Sequence, residues 1–339
     1  VGTATAILAG AAMTSLSASA APAVKAPSYT FVDLGVWPGD SDSTAFAVND
    51  RQVVVGQSSN ESRQRSHAVS WNRGHISDLG TLGAPFDKGA VATDVNDEDE
   101  VVGASFDSDD RSHAFMWSDG TMRDLGTLGG SQSYAQAIND RGVVTGWSFT
   151  AAGIVRGFIW DGTMHEIPVE GADIDARGQV VGLVTTAPTA HAGVWWKGTV
   201  VDLAGFDQRD PTTAHAINDA GVVGGSDDDA HPDSATLWIH GSVTSVRVDG
   251  PCPGFPGTTV QDLNDPGDFV GNAPDPGHDG YLGPVVCDAG VQSFLPAGPP
   301  PSDSFGYRMN NRADVVGVTN ELDAAGFLIT NHATLWARS

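Results

Sequence analysis

TMRDLGTLGGSQSYAQAINDRGVVTG, residues Thr121 to Gly146, decides the fold, because its parts recur along the whole chain. The Asn-Asp turn inside it has counterparts at Asn49, Asn96, Asn139, Asp175, Asn218, Asn264 and Asn310. Subtracting positions gives intervals of 47, 43, 36, 43, 46 and 46 residues. Seven units of this size match the blades of a β-propeller.

Each unit holds four short apolar segments, complete in the second unit as VATDVN (91–96), EVVGAS (100–105), HAFMW (113–117) and TMRDLG (121–126). They are rich in β-branched and aromatic residues, bounded by Gly, Asn or Asp, and too short for helices. The reading is four antiparallel strands, a to d, per unit. The a–b connection is an Asn-Asp-x-Gly type of turn, and the c–d connection ends in Gly, as at Gly74, Gly120, Gly162, Gly198 and Gly241. These residue types enter the left-handed backbone conformation at least cost.

The last unit stops after its third strand, ATLW (333–336), and the missing fourth strand is present at the start of the chain as TFVDLG (30–35). Pairing the two closes a ring and leaves no open sheet end, whereas an open solenoid would need caps that the sequence lacks. The expected architecture is an all-β, seven-bladed β-propeller over 30–339. Residues 1–20 read as the apolar region and Ala-x-Ala cleavage site of a secretory signal peptide, with 21–29 as a flexible lead; an N-terminal anchor is the alternative. No other stretch approaches membrane-spanning length.

The formal net charge of −25, from 42 acidic and 17 basic residues, argues against nucleic acid as a partner. An acidic surface favours solubility and attracts cations or basic partners. The third strands share a Trp slot at Trp71, Trp117, Trp160, Trp195, Trp238 and Trp336. A large ring repeated once per blade is the expected wedge between neighbouring sheets. Four residues earlier stand His67, His113, His191 and His332, replaced by Arg156 and Ser234 in units three and five. Copies spread around a ring do not converge on one catalytic or metal centre. They are expected to hydrogen-bond Asp33, Asp78, Asp124 and Asp202 of the fourth strands within each blade. Secretion favours a disulfide between Cys252 and Cys287, although the repeat alignment puts these at opposite strand ends, where the separation could exceed the roughly 7 Å that a bridge tolerates.

SHAFMW (112–117), RDLGTLGGSQSYAQAINDRGVVTGWS (123–148), SHAVSW (66–71) and SDLGTLG (77–83) resemble the HAF repeats of secreted bacterial proteins, named for a tripeptide that stands here as His113-Ala114-Phe115. The resemblance spans nearly all of the chain after its leader, most strongly in units one to three. It implies an extracellular repeat protein and brings no settled activity or catalytic residues.

With strands running a to d from the axis outwards, the a–b and c–d turns share one face and the variable b–c and d–a loops share the other. Variable loops on a rigid scaffold are where binding specificity resides. The d–a loops carry Trp37, Phe86, Tyr134, Phe206, Phe255 and Phe305, and Trp147 ends a second strand; the b–c loops carry Asp107, Asp109 and Asp228 among other acidic and amide groups. Rings that cover the C–H face of a pyranose, beside carboxylates and amides that bond its hydroxyls, suit a lectin-like site for a glycan or cell-surface ligand. Such a module could serve as the targeting subunit of a larger secreted toxin assembly. The alternative is a secreted propeller glycosidase or lyase using paired carboxylates. No nucleophile motif, HExxH or P-loop is present. DSDD (107–110) and DDD (227–229) lack EF-hand spacing, so no cofactor is expected and a structural Ca2+ in the axial channel has no motif behind it.

Overall fold

The computed structural model describes residues 27–60, 62, 65–83, 89–185, 191–203, 212–227, 235–239, 259–275, 282–288, 291–298, 302–323, 326 and 328–339. They form seven antiparallel sheets around one axis, six of them four-stranded; the sheet of blade 5 has three strands among the described residues. Blade 2 shows the plan with Ala90–Val95, Val101–Phe106, Ser112–Ser118 and Thr121–Gly126 hydrogen-bonded in chain order. In this blade the strand limits agree with the sequence reading to within one residue, whereas the third strand of the last blade, read as 333–336, runs over Leu328–Arg338. The inner strands are Asp42–Val48, Ala90–Val95, Gly129–Ile138, Val169–Ile174, Thr212–Ile217, Val260–Leu263 and Ser302–Met309.

The ring is shut as its two ends require. Tyr29–Asp33 is the outer strand of blade 7 and pairs with Leu328–Arg338, placing Phe31 opposite Trp336 and Asp33 opposite Thr334. Phe31 packs into the same apolar cluster as Trp336.

Each Trp of the repeated slot leans on the blade before it. Trp71 packs on Val316, Ala333 and Leu335 of blade 7, and Trp160 on Val102 and Ala114 of blade 2. Trp238 meets Val181 and Ala192 of blade 4, and the fully buried Trp336 meets Val270 and Val286 of blade 6. Blade 6 has Cys287 in the slot, buried beside Ala216 of blade 5. Cys287 is disulfide-bonded, so the objection from strand ends does not hold; Cys252, the chain's other cysteine, lies outside the described residues.

The His slot ties strand c to strand d. His67 meets Asp78 at 3.0 Å, His113 meets Asp124 at 2.8 Å and His191 meets Asp202 at 3.0 Å, while His332 and Asp33 approach to 3.3 Å across the closure. Blade 3 exchanges both members, so Arg156 faces Glu166 at 3.3 Å in the same register. The Asp side chain also shapes the following turn, because its other oxygen accepts the N–H of Gly35, Gly80 or Gly126 two residues on and so fixes the Asp-Leu-Gly corner.

Candidate functional site

The inner strands read Ala-x-Ala-Ile/Val-Asn or a close variant, and every one carries a β-bulge at x. The bulged residues are Phe46, Thr93, Gln136, Ala172, His215, Gln261 and Tyr307. A bulge leaves its residue outside the ladder and turns its side chain, here towards the axis. The second strand supports this geometry with Gly: a Cβ on Gly146 would sit 2.0 Å from the carbonyl oxygen of Tyr134, so only Gly lets the bulged strand approach.

All seven bulged side chains line one cavity of about 310 Å³ on the axis, together with Tyr134 and Arg308. Phe46 and Tyr307 of adjoining blades stack with ring centroids 6.0 Å apart. Tyr134 stacks on its cross-strand neighbour Trp147 at 5.8 Å and 4°, and Phe149 meets the edge of Trp147 at 6.0 Å. Such pairs contribute roughly 0.5–1.5 kcal/mol each beyond burial, so the walls are pre-set. Between the rings stand the amides of Gln136 and Gln261, the Thr93 hydroxyl and the His215 imidazole. Ala172, the smallest member, leaves the space open on the side of blade 4. Burial pushes the Tyr134 and Tyr307 phenols up, so both are neutral hydrogen-bonding groups at physiological pH.

Arg308 closes the axial end of this cavity. Its guanidinium lies 3.4 Å from Asp262 and 3.6 Å from Asp173, and donates to the carbonyl oxygen of Ala172. Asp94, Asp173 and Asp262 each also accept a backbone N–H from the next blade, at Ile138, Ile217 and Met309. Three carboxylates, Asp262 buried and Asp94 and Asp173 half-buried, share one cation. Burial raises their pKa values against the lowering effect of Arg308, to about 6 for Asp94 and about 7 for Asp262. Burial acts in the other direction on Arg308, but the carboxylates of Asp262, Asp173 and Asp94 more than reverse it and raise its pKa.

Beyond Arg308 the axis opens to the turn face through a second cavity of about 180 Å³. Its wall is a ring of side-chain amides, each donating to the carbonyl oxygen of the next turn: Asn49 to Asn96, Asn96 to Asn139, Asn139 to Asp175, Asn218 to Asn264, Asn264 to Asn310 and Asn310 to Asn49, at 2.9–3.3 Å. The step from blade 4 to blade 5 breaks the pattern. There Asp175 replaces Asn, and its buried Oδ2 has no partner among the described residues. A parallel ring runs outside, in which Asp97, Asp140, Asp219, Asp265, Asn311 and Asp50 accept the backbone N–H of the neighbouring turn.

Of the residues expected from sequence to bind a ligand, Tyr134 lines the axial cavity and Trp147 backs it. Tyr134 and Phe305 lie inside inner strands rather than in d–a loops, because the strands of blades 3 and 7 begin earlier than their apolar pattern. Phe305 is not among the cavity-lining residues. Trp37 pins its loop: its backbone N–H donates to the Ser58 hydroxyl and its ring packs against the cluster between blades 7 and 1. Asp107 organises the tip of blade 2 by accepting the backbone N–H of Asp109 and Arg111 and pairing with the Arg111 guanidinium, contacts that hold its carboxyl below the usual range. Asp109 is exposed and paired with the same guanidinium. Phe86, Phe206, Asp228 and Phe255 lie outside the described residues. Sequence reasoning missed Phe46, Gln136, His215, Gln261, Tyr307 and Arg308. The available signal was the one changing position inside an otherwise repetitive strand.

No family model matches the chain, and no curated protein matches it. Among solved structures, the β-propeller domain of the Trilobed protease from Pyrococcus furiosus aligns with TM-score 0.57 and 9% identity, over 88% of this chain and 97% of that one. That propeller is described as having an open velcro topology, whereas here Tyr29–Asp33 closes the ring. A puromycin-hydrolyzing peptidase of Mycobacterium tuberculosis aligns with TM-score 0.52 and 14% identity, over 85% of this chain and 53% of that one. The extracellular domain assigned to a hybrid two-component system of B. thetaiotaomicron aligns with TM-score 0.52 and 7% identity, over 90% and 39%. The chain thus spans about half or less of the last two. At these identities the likeness is one of fold. Among the described residues no helix is long and apolar enough to cross a membrane, and no group of three or more His, Cys, Asp or Glu is arranged to hold a metal ion.

Proposed function

We propose that this chain is a secreted binding propeller that takes a carbohydrate, free or on a cell surface, in the axial cavity of its loop face. The reading rests on the convergence of seven bulged side chains, supplying aromatic planes and neutral hydrogen-bonding groups, on one cavity of about 310 Å³. Aromatic faces cover the C–H surface of a sugar, while Gln136, Gln261 and the Tyr hydroxyls can both donate to and accept from its hydroxyls, and the Thr93 oxygen, whose O–H donates to the carbonyl of Ala135, can accept from them. That volume suits one or two sugar rings rather than a protein loop. The Asx-type loop of Asp107 and the pinned Trp37 move the site from the outer loops to the axis. The HAF-repeat likeness and the Ala-rich start are the support for an extracellular location, and service as the targeting subunit of a larger toxin assembly is compatible with this use.

A second reading, a propeller enzyme acting on polysaccharide, is favoured by one observation. Asp94 and Asp262 beside Arg308 have carboxyl pKa values near neutrality, as a general acid requires. A glycan array with the purified chain tests the first reading: selective retention of a few glycans is expected, and a uniformly blank array contradicts it. Turnover of a retained glycan that stops on Asp262→Asn would put the enzyme reading first.

A further inference from the structure

The turn face carries a second groove, at the junction of blades 3 and 4. Val143, Ile159, Trp195 and Trp196 form apolar walls around about 290 Å³, and Arg141, Arg177 and Lys197 rim them. Trp196 is 41% exposed, a large apolar surface to leave in water, and the Lys197 ammonium lies 4.7 Å from its ring centroid. The cations are the unexpected part. The whole chain has 17 Lys and Arg against 42 acidic residues, yet three cations meet here. Arg141 and Lys197 form no ion pair among the described residues, and Arg177 is held by the carbonyl oxygen of Asp219 rather than by a carboxylate. At the equivalent turn of blade 1, Arg51 is neutralised by Asp99 at 3.4 Å. Among the described residues the one acid in the wall is Asp161, which is 62% exposed and lies 3.6 Å from His165.

We propose that this groove binds a small aromatic carboxylate, its ring against Trp195, Trp196, Ile159 and Val143 and its carboxylate between Arg141 and Lys197. Apolar walls select the body of such a ligand and two unpaired cations select its head. A long polyanion would meet the surrounding acidic surface, so the ligand is short and carries a single charge. The site is independent of the axial cavity, which opens on the other face.

Ligand-observed NMR titrations at low ionic strength test it with three probes: phenylacetate, 2-phenylethanol and acetate. Phenylacetate should bind about tenfold or more tighter than 2-phenylethanol, the size of effect expected from one charge-assisted hydrogen bond, and about tenfold or more tighter than acetate, which lacks the ring that the apolar walls cover. The R141Q/K197Q double variant should lose the preference over 2-phenylethanol, and D161N should strengthen phenylacetate binding by removing a repelling charge from the wall. Melting curves check that the variants fold; should the double variant fail to, R141Q alone and D161N decide. Equal binding of phenylacetate and 2-phenylethanol, equal binding of phenylacetate and acetate, or no response to the substitutions would overturn the proposal.

Discussion

Asp175→Asn should stabilise the protein, because it removes an unpartnered charge from a buried site in a very acidic chain. Six of the seven turns donate a side-chain amide N–H to the next turn, and at the seventh Asp175 faces that position with an unpartnered carboxylate oxygen. Asp175 is 2% exposed, and its Oδ1 already accepts the N–H groups of Arg177 and Gln179. An Asn can keep those two bonds through its oxygen and supply the missing donor. A new hydrogen bond contributes about 1 kcal/mol and relief of an unsatisfied buried oxygen about 1–3 kcal/mol. Discounting for partial overlap leaves a gain of about 2–3 kcal/mol. For a chain of this size that is a rise in Tm of about 4 °C. The pH dependence has a definite sign. Burial raises the pKa of Asp175 in the folded state, so the penalty grows as pH rises from the unfolded-state value towards the raised one and is fully present above it. The advantage of D175N is therefore largest at pH 8 and shrinks as pH falls through the folded-state pKa, where the wild-type acid gains its own O–H donor. Differential scanning calorimetry of both proteins between pH 8 and pH 5 reads this directly. A lower Tm for D175N at pH 8, or an advantage of D175N that grows as pH falls, would refute the ring of amides as a stabilising element.

Trp336→Ala should cost about 3–5 kcal/mol in urea unfolding, because a fully buried indole is lost between blades 6 and 7; the partly exposed Trp117 should cost less, and an unchanged stability of the Trp336 variant would remove the wedge assignment. Exchange of His113 and Asp124 together for Arg and Glu should restore the stability lost in either single substitution, since blade 3 carries Arg156 and Glu166 in that register; a thermal double-mutant cycle with no coupling contradicts the tie between strands. Deleting residues 27–33 should broaden and lower the melting transition by taking from Leu328–Arg338 its outer partner; an unchanged transition would contradict closure. Wild-type Tm should rise from pH 8 to pH 5: Asp94 and Asp262 have folded values of about 6 and 7, above those of the unfolded chain, so stability is lost as pH rises through them. A Tm that falls over that range counts against the buried acidic cluster.

The ring itself was legible in the sequence, because seven Asn-Asp turns and a split last blade leave few other ways to pair the strands. The Trp and His slots were legible for the same reason: a contact needed in every blade repeats in every blade. The axial cavity was not. Phe46, Gln136, His215, Gln261 and Tyr307 differ from blade to blade, since each faces a different part of the cavity, and period-2 alternation assigns such residues to one side of a strand without revealing a bulge. The aromatic residues of the d–a segments drew attention instead. Trp37 turned out to anchor its loop and Tyr134 to belong to an inner strand. Arg308 lies in the Ala or Asp column of the repeat, where one cation among three acids has meaning only once the ring brings positions 94, 173, 262 and 308 together.

The location of binding is open to one decisive titration. The best ligand from the glycan array is titrated against the wild-type chain, against Ala172→Trp, which fills the axial cavity from blade 4, and against Asp109→Ala, which alters an exposed loop tip on the same face. The result expected is loss of binding in the Ala172 variant with folding intact, and unchanged affinity in the Asp109 variant. Retained binding with the axis filled, or loss on changing the loop tip alone, would contradict an axial site.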